Sequence, residues 1–180
     1  MGYRAVFIDR DGTININFGY IDKPERFKFH KGVIEGMKLL KKNGYKIIIV
    51  TNQSGIGRGF FSEKELEKIH NKMIKELSEK NINVDAVYYC PHHPEDNCNC
   101  RKPKTGLLES AVKDLDIDIK ESFVIGDRML DMEAGDKMGC KTVLVPENKE
   151  KIDIEMKESS IKPDFVCDDF YLGVKWILEK

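Results

Sequence analysis

The stretch Ala5-Val6-Phe7-Ile8-Asp9-Arg10-Asp11-Gly12-Thr13 places two carboxylates directly after an apolar run. The apolar run predicts a buried strand, and side chains two residues apart on a strand point to the same side. Asp9 and Asp11 are therefore expected to converge, and two converging carboxylates need a proton, a metal cation or a basic group between them. Gly12 allows the backbone to turn sharply after them. Carboxylates at the carboxyl end of a strand lie where open α/β sheets bind their ligands.

Strand and helix patterns alternate along the rest of the chain. The predicted strands are 3–8, 45–50, 84–89, 122–125, 141–145 and 164–166. The predicted helices are 33–42, one that begins at the capping box of Ser62 and Glu65, 105–115, 129–138 and 171–178. This alternation predicts one α/β domain over residues 1–180, with a doubly wound parallel sheet covered on both faces. The polar segment 147–161 is expected to be an exposed connection with a helical turn.

The composition excludes several classes of partner. The 180 residues carry a net charge of −1 with 34% charged residues, so the surface is mixed in sign and predicts neither a nucleic-acid nor a membrane partner. No apolar stretch approaches the length of a membrane span, and the N-terminus lacks the apolar core of a signal peptide. These features predict a soluble cytoplasmic protein, and we expect a monomer.

Polar groups follow three of the predicted strands. Asp9 and Asp11 follow the first, Thr51 ends the second, and Asp127 follows the fourth, while Lys102 precedes a helix. The three carboxylates predict a site for a hard cation, Mg²⁺ above all. Thr51 and Lys102 could then hold an anion such as a phosphoryl group. One carboxylate could attack it as a nucleophile, and a second could move the proton.

Simpler interpretations exist for each residue taken alone. An aspartate after a strand often only forms a turn or caps a helix. Asp131 lies in a first helical turn, where an acid is favoured for its interaction with the helix dipole. Arg128 could be a solvated surface arginine, and Thr51 could simply end its strand. The functional interpretation is favoured because four motifs occur in order in one chain: the Asp9–Asp11 pair, Thr51, Lys102 and Asp127.

These motifs resemble those of the haloacid dehalogenase-like phosphatases. The resemblance covers residues 3 to 145 through Asp9-Arg10-Asp11-Gly12-Thr13, Thr51-Asn52-Gln53, Lys102 and Gly126-Asp127. It implies that Asp9 is the nucleophile and Asp11 the general acid/base. It also implies that Mg²⁺ is bound by Asp9, Asp127 and the backbone carbonyl of Asp11, and that Thr51 and Lys102 hold the phosphoryl group. It further implies a Rossmann-like sheet, and we expect no inserted cap domain.

The loop from Cys90 to Cys100 carries three thiols, at Cys90, Cys98 and Cys100, and two imidazoles, at His92 and His93. Three thiolates and one imidazole complete the tetrahedral shell of a structural Zn²⁺ site. The spacing alone does not choose between the two histidines. A bridge between Cys98 and Cys100 would be strained, so a metal is favoured over a disulfide. Cys140 and Cys167 are expected to be small core residues.

The pattern Cys-x-His…Cys-x-Cys-Arg-Lys-Pro resembles the zinc-loop subgroup of this family, and the resemblance selects His92 as the fourth ligand. That subgroup includes phosphatases of D-glycero-D-manno-heptose 1,7-bisphosphate and of histidinol phosphate. It implies a small phosphorylated metabolite as the partner, a sugar bisphosphate above all. The expected substrate-binding residues are Asn17, Gly19, Tyr20, Asn52, Gln53, Ser54, Arg101 and Arg128.

The heptose 1,7-bisphosphate, with removal of its 7-phosphate, is the favoured substrate, and histidinol phosphate is the alternative. Gly19-Tyr20 and the stretch 51–59 are similar to the heptose enzymes, whereas the short loop between His92 and Cys98, and Arg128, are similar to the histidinol relatives. A sugar phosphomutase is disfavoured, because it would need a second phosphorylated site and usually a larger cap, and the sequence shows neither. A zinc-stabilised module with an inactive pocket is disfavoured because Asp9 and Asp11 are both intact.

Overall fold

Six parallel strands form one sheet in the computed structural model, which describes residues 2–180. The strands are β1 Ala5–Ile8, β2 Lys46–Asn52, β3 Ala86–Cys90, β4 Phe123–Gly126, β5 Lys141–Leu144 and β6 Phe165–Val166. Their order is β3-β2-β1-β4-β5-β6, so the chain runs outward on one side of β1 and then crosses to the other side. The predicted doubly wound parallel sheet is thus confirmed, and the reversal of strand order lies between β1 and β4.

Helices cover both faces of the sheet. They are α1 Val33–Lys42, α2 Ser54–Gly57, α3 Glu63–Ser78, α4 Gly106–Leu115, α5 Met129–Met138, α6 Lys149–Glu158 and α7 Phe170–Leu178. The capping box predicted at the start of α3 is present, since the Ser62 side chain accepts from the Glu65 amide and the Glu65 carboxylate accepts from the Ser62 amide. Short 3₁₀ turns lie at Pro24–Arg26 and Ile119–Glu121.

Strand β1 is an unbroken apolar run because it is buried on both faces of the sheet. Val6 and Ile8 pack into the core under α1, α3 and α7, whereas Ala5 and Phe7 pack into the core under α4 and α5. All four side chains are buried. A strand with helices on both faces has no polar face, and its sequence therefore does not alternate.

One segment was predicted wrongly. Residues 147–161 contain the ten-residue helix α6 rather than an exposed connection with a single helical turn. The Asn148 side chain caps α6 by accepting from the Lys151 amide at 3.0 Å. Only Ile152 of this helix is buried, so its apolar stripe is too narrow to be recognised in the sequence. The four-residue α2 was also not predicted, and the other elements shift slightly at their ends.

The helices within residues 2–180 are each too short or too polar to cross a lipid bilayer.

Candidate active site

A cavity of about 310 Å³ opens at the carboxyl ends of β1, β2 and β4. Every residue predicted for catalysis, substrate binding or Mg²⁺ lines it: Asp9, Asp11, Asn17, Gly19, Tyr20, Thr51, Asn52, Gln53, Ser54, Arg101, Lys102, Asp127 and Arg128. No second domain is inserted over the cavity within residues 2–180, so its walls come from loops that leave the sheet. The sheet topology thus brings together residues that are far apart in the sequence.

Lys102 lies between two carboxylates at the floor of the cavity. Its Nζ atom is 2.6 Å from Asp9 Oδ1 and 2.6 Å from Asp131 Oδ1, and it also donates to the backbone carbonyl of Val50. The ammonium group is buried, as are both carboxylates. Burial alone would lower the pKa of Lys102, but the charges of Asp131 and Asp9 raise it above its usual value, so the lysine is a fixed positive charge.

Three carboxylates crowd around this lysine. Oxygens of Asp9, Asp127 and Asp131 lie within 4.8 Å of one another. Burial, aided by the neighbouring acids, raises the pKa of Asp9 to about 7 and that of Asp127 to about 9. One ammonium group does not balance three carboxylates, so the cluster has the donor set and the negative charge that suit a hard divalent cation.

Gly12 allows this crowding. Its φ angle of 92° lies in the left-handed region, and a Cβ atom at this position would overlap the Asp127 carboxylate. The backbone between Asp9 and Thr13 can therefore pass directly beside Asp127 only because residue 12 has no side chain.

The Asp11 carboxylate lines the same cavity but is held by a separate set of partners. Arg10 binds both of its oxygens, with Nη2 2.8 Å from Oδ1 and 2.6 Å from Oδ2, and Asn15 and Gln53 each donate one further hydrogen bond. Although burial acts in the opposite direction, the Arg10 guanidinium holds the pKa of Asp11 below its usual range. Strand β1 ends at Ile8, before the alternation of a strand can reach Asp11, and Asp11 is not among the three clustered carboxylates. Asp131 takes that place in the cluster.

Two residues predicted to bind substrate also hold the site together. The Asn52 side chain accepts from the backbone amide of Lys102 at 3.1 Å and donates to its carbonyl at 3.2 Å. The side-chain amide of Gln53 donates through Nε2 to Thr51 Oγ1 and to Asp11 Oδ2, each at 2.8 Å. These contacts connect the end of β2 with the groups that follow β1 and precede α4.

Two arginines face the cavity with different partners. Glu155 of α6 binds Arg128 through Nε and Nη2 and also accepts from the Met129 amide. The Arg128 side chain is 41% exposed, so it is neither free in solvent nor buried. Arg101 Nη1 is buried and has no hydrogen-bond partner among residues 2–180. A buried arginine donor without a partner is costly, and an anion in the cavity could supply the partner.

The four predicted zinc ligands form a second cluster. The Sγ atoms of Cys90 and Cys98 are 3.5 Å apart, as are those of Cys98 and Cys100, and His92 Nδ1 is 3.2 Å from Cys100 Sγ. All four donor atoms lie within 4.8 Å of one another. A tetrahedral ion with Zn–S bonds of about 2.3 Å separates its sulfurs by about 3.8 Å, so the cluster fits Zn²⁺. His93 lies outside it, and its Nδ1 accepts instead from the Glu95 amide.

Hydrogen bonds to the backbone carbonyls of two of the cysteines connect the cysteine cluster to the segments that line the cavity. The backbone amide of Gln53 donates to the carbonyl of Cys90 at 2.8 Å. The side chain of Lys104 donates through Nζ to the carbonyl of Cys98, also at 2.8 Å. The loop then continues directly into Arg101 and Lys102. Ordering the cysteine loop therefore orders the segment that carries the central lysine.

Sequence analysis missed several residues of this site. Asp131 was placed among the polar residues after the fourth strand, but the role of a helix-start acid was favoured for it. It does accept from the Arg128 amide, and its other oxygen meets Lys102. Arg58 lines the cavity from the loop 55–61, which the sequence already suggests as a wall of the site, whereas Arg10 and His70, joined by a contact of 3.0 Å, lie outside the cavity lining and were not predicted. For Asp131, the signal in the sequence was its position in the first turn of the helix that follows Asp127. No local pattern in the sequence indicates the partners of Arg10.

The cluster around Lys102 yields a stability prediction for the Lys102→Met variant. Removal of the ammonium group leaves Asp9 and Asp131 buried without a counter-charge, and breaking such a pair costs about 3–5 kcal/mol. We expect this loss in the free energy of unfolding, measured by urea titration with a chelator present. Adding Asp131→Asn should restore part of the loss. An unchanged free energy of unfolding in Lys102→Met would contradict the ion-pair geometry.

Comparison with known proteins agrees with this geometry. The HAD-hydrolase-like family model matches residues 99–172. The D-glycero-beta-D-manno-heptose-1,7-bisphosphate 7-phosphatase of Haemophilus influenzae is 46% identical over 138 residues, which are 73% of this chain and 75% of that protein. The protein of the same name from Pasteurella multocida is 41% identical over 172 residues, which are 92% of this chain and 94% of that protein.

A solved structure extends the similarity to the whole fold. The D,D-heptose 1,7-bisphosphate phosphatase of B. bronchiseptica, complexed with magnesium and phosphate, has a TM-score of 0.88 and 28% identity, and covers 98% of both chains. The fold is thus that of a haloacid dehalogenase-like phosphatase. Within that class, the chain belongs to the family of the D,D-heptose 1,7-bisphosphate phosphatases.

Proposed function

We propose that this protein is a Mg²⁺-dependent phosphatase that works through an aspartyl-phosphate and removes the 7-phosphate of D-glycero-β-D-manno-heptose 1,7-bisphosphate. The observation that carries the proposal is Asp9, held against Lys102 at the floor of a cavity that all the predicted site residues line. The names of the relatives at 41–46% identity support the substrate and its β anomer. We propose that one domain, residues 1–180, carries this activity.

Two half-reactions follow from the positions of the acids. A carboxylate oxygen of Asp9 attacks phosphorus, the bond from phosphorus to the sugar oxygen breaks, and Asp11 gives a proton to the leaving oxygen. Water then attacks the aspartyl-phosphate and gives a proton to Asp11, and the bond from phosphorus to Asp9 breaks, which releases inorganic phosphate. Lys102 and Thr51 hold the phosphoryl group while its charge redistributes.

We propose that Mg²⁺ is held by Asp9, Asp127 and the backbone carbonyl of Asp11, with the Asp131 carboxylate close by. The crowding of buried acids supports this assignment, since burial and mutual repulsion raise the pKa values of Asp9 and Asp127, and a bound cation would offset both effects. When bound, the ion neutralises charge on the phosphoryl oxygens. Zn²⁺ is assigned to Cys90, His92, Cys98 and Cys100, where it would be structural because protein atoms fill all four positions.

The remote phosphate of a bisphosphate needs its own positive charges. Arg101, with its unpartnered Nη1, and Arg128 supply them at the wall of the cavity. Loop residues complete the proposed substrate site: Asn17, Gly19, Tyr20, Asn52, Gln53 and Ser54. The cytoplasmic location and the monomeric state stay predictions from the sequence.

The test of the substrate is a comparison of kcat/KM for both anomers of the heptose 1,7-bisphosphate and for histidinol phosphate. We expect the β anomer to exceed histidinol phosphate by at least about 100-fold, because a bisphosphate engages both arginines. The short cysteine loop and Arg128 favour histidinol phosphate as the competitor. A higher kcat/KM for histidinol phosphate would reject the heptose substrate while leaving the phosphatase chemistry intact.

Arg128→Gln should separate the two phosphates. We expect kcat/KM for the heptose bisphosphate to fall about 10- to 100-fold, which corresponds to the loss of a hydrogen bond to a charged group. The same variant should hydrolyse p-nitrophenyl phosphate as well as the wild type, since that substrate has no second phosphate. Equal losses with the two substrates would show that Arg128 does not contact the remote phosphate.

A further inference from the structure

Arg10 is a fully buried arginine behind the catalytic cavity. Its side chain is 0% exposed, and it joins Asp11 on one side to His70 on the other. Nε and Nη2 bind the Asp11 carboxylate, while Nη1 is 3.0 Å from His70 Nε2. A guanidinium group gains much from several hydrogen bonds when buried, because its charge has lost its water.

The chemistry of this contact fixes the protonation state of His70. Arginine offers only donors, so Nε2 of His70 must accept and its proton must lie on Nδ1. Burial, aided by the charge of Arg10, lowers the pKa of His70 to about 3. The imidazole is therefore neutral and serves as a fixed acceptor for Arg10.

His70 is itself held by two elements of the fold. It lies within α3, and its ring packs edge-on against Tyr89 of β3 with the centroids 6.0 Å apart. Without His70, Arg10 would be held mainly by the carboxylate that it orients. With His70, the guanidinium is fixed from the side opposite Asp11.

We infer that His70 and Arg10 are positioning residues that fix the direction of the Asp11 carboxylate for the hydrolysis of the aspartyl-phosphate. The inference rests on the proposed two-step mechanism. Neither residue lines the cavity among the described residues, so they act through Asp11 rather than on the substrate. In the second step Asp11 must take a proton from water, and the hydrogen bonds from Arg10 hold its carboxylate in one direction while it does so.

The variants His70→Leu and His70→Gln separate positioning from packing. Leucine removes the acceptor, whereas glutamine offers a carbonyl oxygen to Nη1 of Arg10. We expect kcat with p-nitrophenyl phosphate to fall about 10- to 100-fold in His70→Leu with KM little changed, and to recover most of this loss in His70→Gln. Met73→Leu, a buried change one turn along the same helix, should leave kcat near that of the wild type.

Pre-steady-state kinetics show whether His70→Leu slows the hydrolysis of the aspartyl-phosphate rather than its formation. Because p-nitrophenolate leaves without needing a proton, transfer of the phosphoryl group to Asp9 should stay fast in His70→Leu. The slowed hydrolysis should then produce a burst of p-nitrophenolate that approaches one equivalent per enzyme and exceeds the burst of the wild type. Equal losses in the leucine and glutamine variants, or a loss without a larger burst, would overturn the inference.

Nitrogen-15 NMR of histidine-labelled protein tests the contact independently of activity. We expect His70 to be neutral with its proton on Nδ1 between about pH 5 and pH 8. A proton on Nε2 in this range would also overturn the inference. A wild-type protein that hydrolyses no phosphomonoester would instead reject the proposed function, and the NMR result would still decide whether Arg10 and His70 are paired.

Discussion

Replacing Asp9 with asparagine is expected to lower kcat for phosphomonoesters by at least about 10³-fold. The two side chains have nearly the same shape, but the amide does not form the acyl phosphate that the proposed mechanism requires of Asp9. Phosphate release in the presence of Mg²⁺ measures the loss. Acid-quenched protein assayed for covalent phosphate shows whether the intermediate has disappeared.

Two variants bracket this result. Asp136→Asn removes one negative charge from an exposed position of α5 and should leave kcat unchanged. Asp11→Asn should slow turnover but still form covalent phosphate, because Asp9 is present. If Asp9→Asn stays within about tenfold of the wild type, Asp9 is not the nucleophile.

The same Asp9→Asn substitution should stabilise the metal-free protein. Burial raises the pKa of Asp9 to about 7, so ionising it in the folded state costs free energy once the pH exceeds its ordinary value of 3.8. At about pH 8 with a chelator, the variant should therefore unfold at a higher urea concentration than the wild type. This difference should shrink as the pH falls through 7 and vanish below about 4, where Asp9 is protonated in both folded and unfolded wild type.

The sequence predicted the sheet and the cavity floor because both follow from local patterns. Apolar runs that are buried on two faces, such as Ala5–Ile8, identify central strands, and polar residues directly after such strands must lie at one edge of the sheet. Asp9, Thr51 and Asp127 were located in this way. The cysteine spacing likewise predicted a cluster that the structure contains.

The rest depends on contacts that no local pattern encodes. Asp131 satisfies the simpler role of a helix-start acid while its second oxygen meets Lys102, and the sequence shows only the first role. The direction of the Asp11 side chain depends on Arg10, whose own partner lies sixty residues away at His70. Helix α6 carries Glu155, the partner of Arg128, but a single buried isoleucine gives it almost no apolar pattern.

Cys98→Ser is expected to remove zinc from the protein and to weaken both its fold and its activity. Burial raises the pKa of the Cys90 thiol to about 12, so the cysteine cluster does not hold several thiolates without a cation to balance them. Loss of one thiolate ligand should reduce the zinc content from one equivalent to near zero. We expect the free energy of unfolding to fall by at least about 3 kcal/mol, since a structural zinc contributes directly to folding.

Activity should fall with the metal because the cysteine loop continues into Arg101 and Lys102. A disordered loop no longer holds Lys102 between Asp9 and Asp131, so kcat/KM should fall at least about tenfold even where the protein remains folded. Cys167→Ser is the matched control, because Cys167 is a free thiol outside the cluster. Wild-type protein that is folded and fully active without zinc would reject the structural role of the metal.

The two neighbouring histidines provide the sharpest form of this test. His92 Nδ1 lies 3.2 Å from Cys100 Sγ, whereas the His93 ring accepts from the Glu95 amide and takes no part in the cluster. His92→Ala should therefore lose zinc and kcat/KM together, while His93→Ala should keep one equivalent of zinc and near wild-type kcat/KM. Metal analysis of both purified variants decides the assignment that the spacing of the sequence leaves open. If His93→Ala lost the zinc instead, the fourth ligand would be His93 rather than His92, and the proposed ligand set would be wrong.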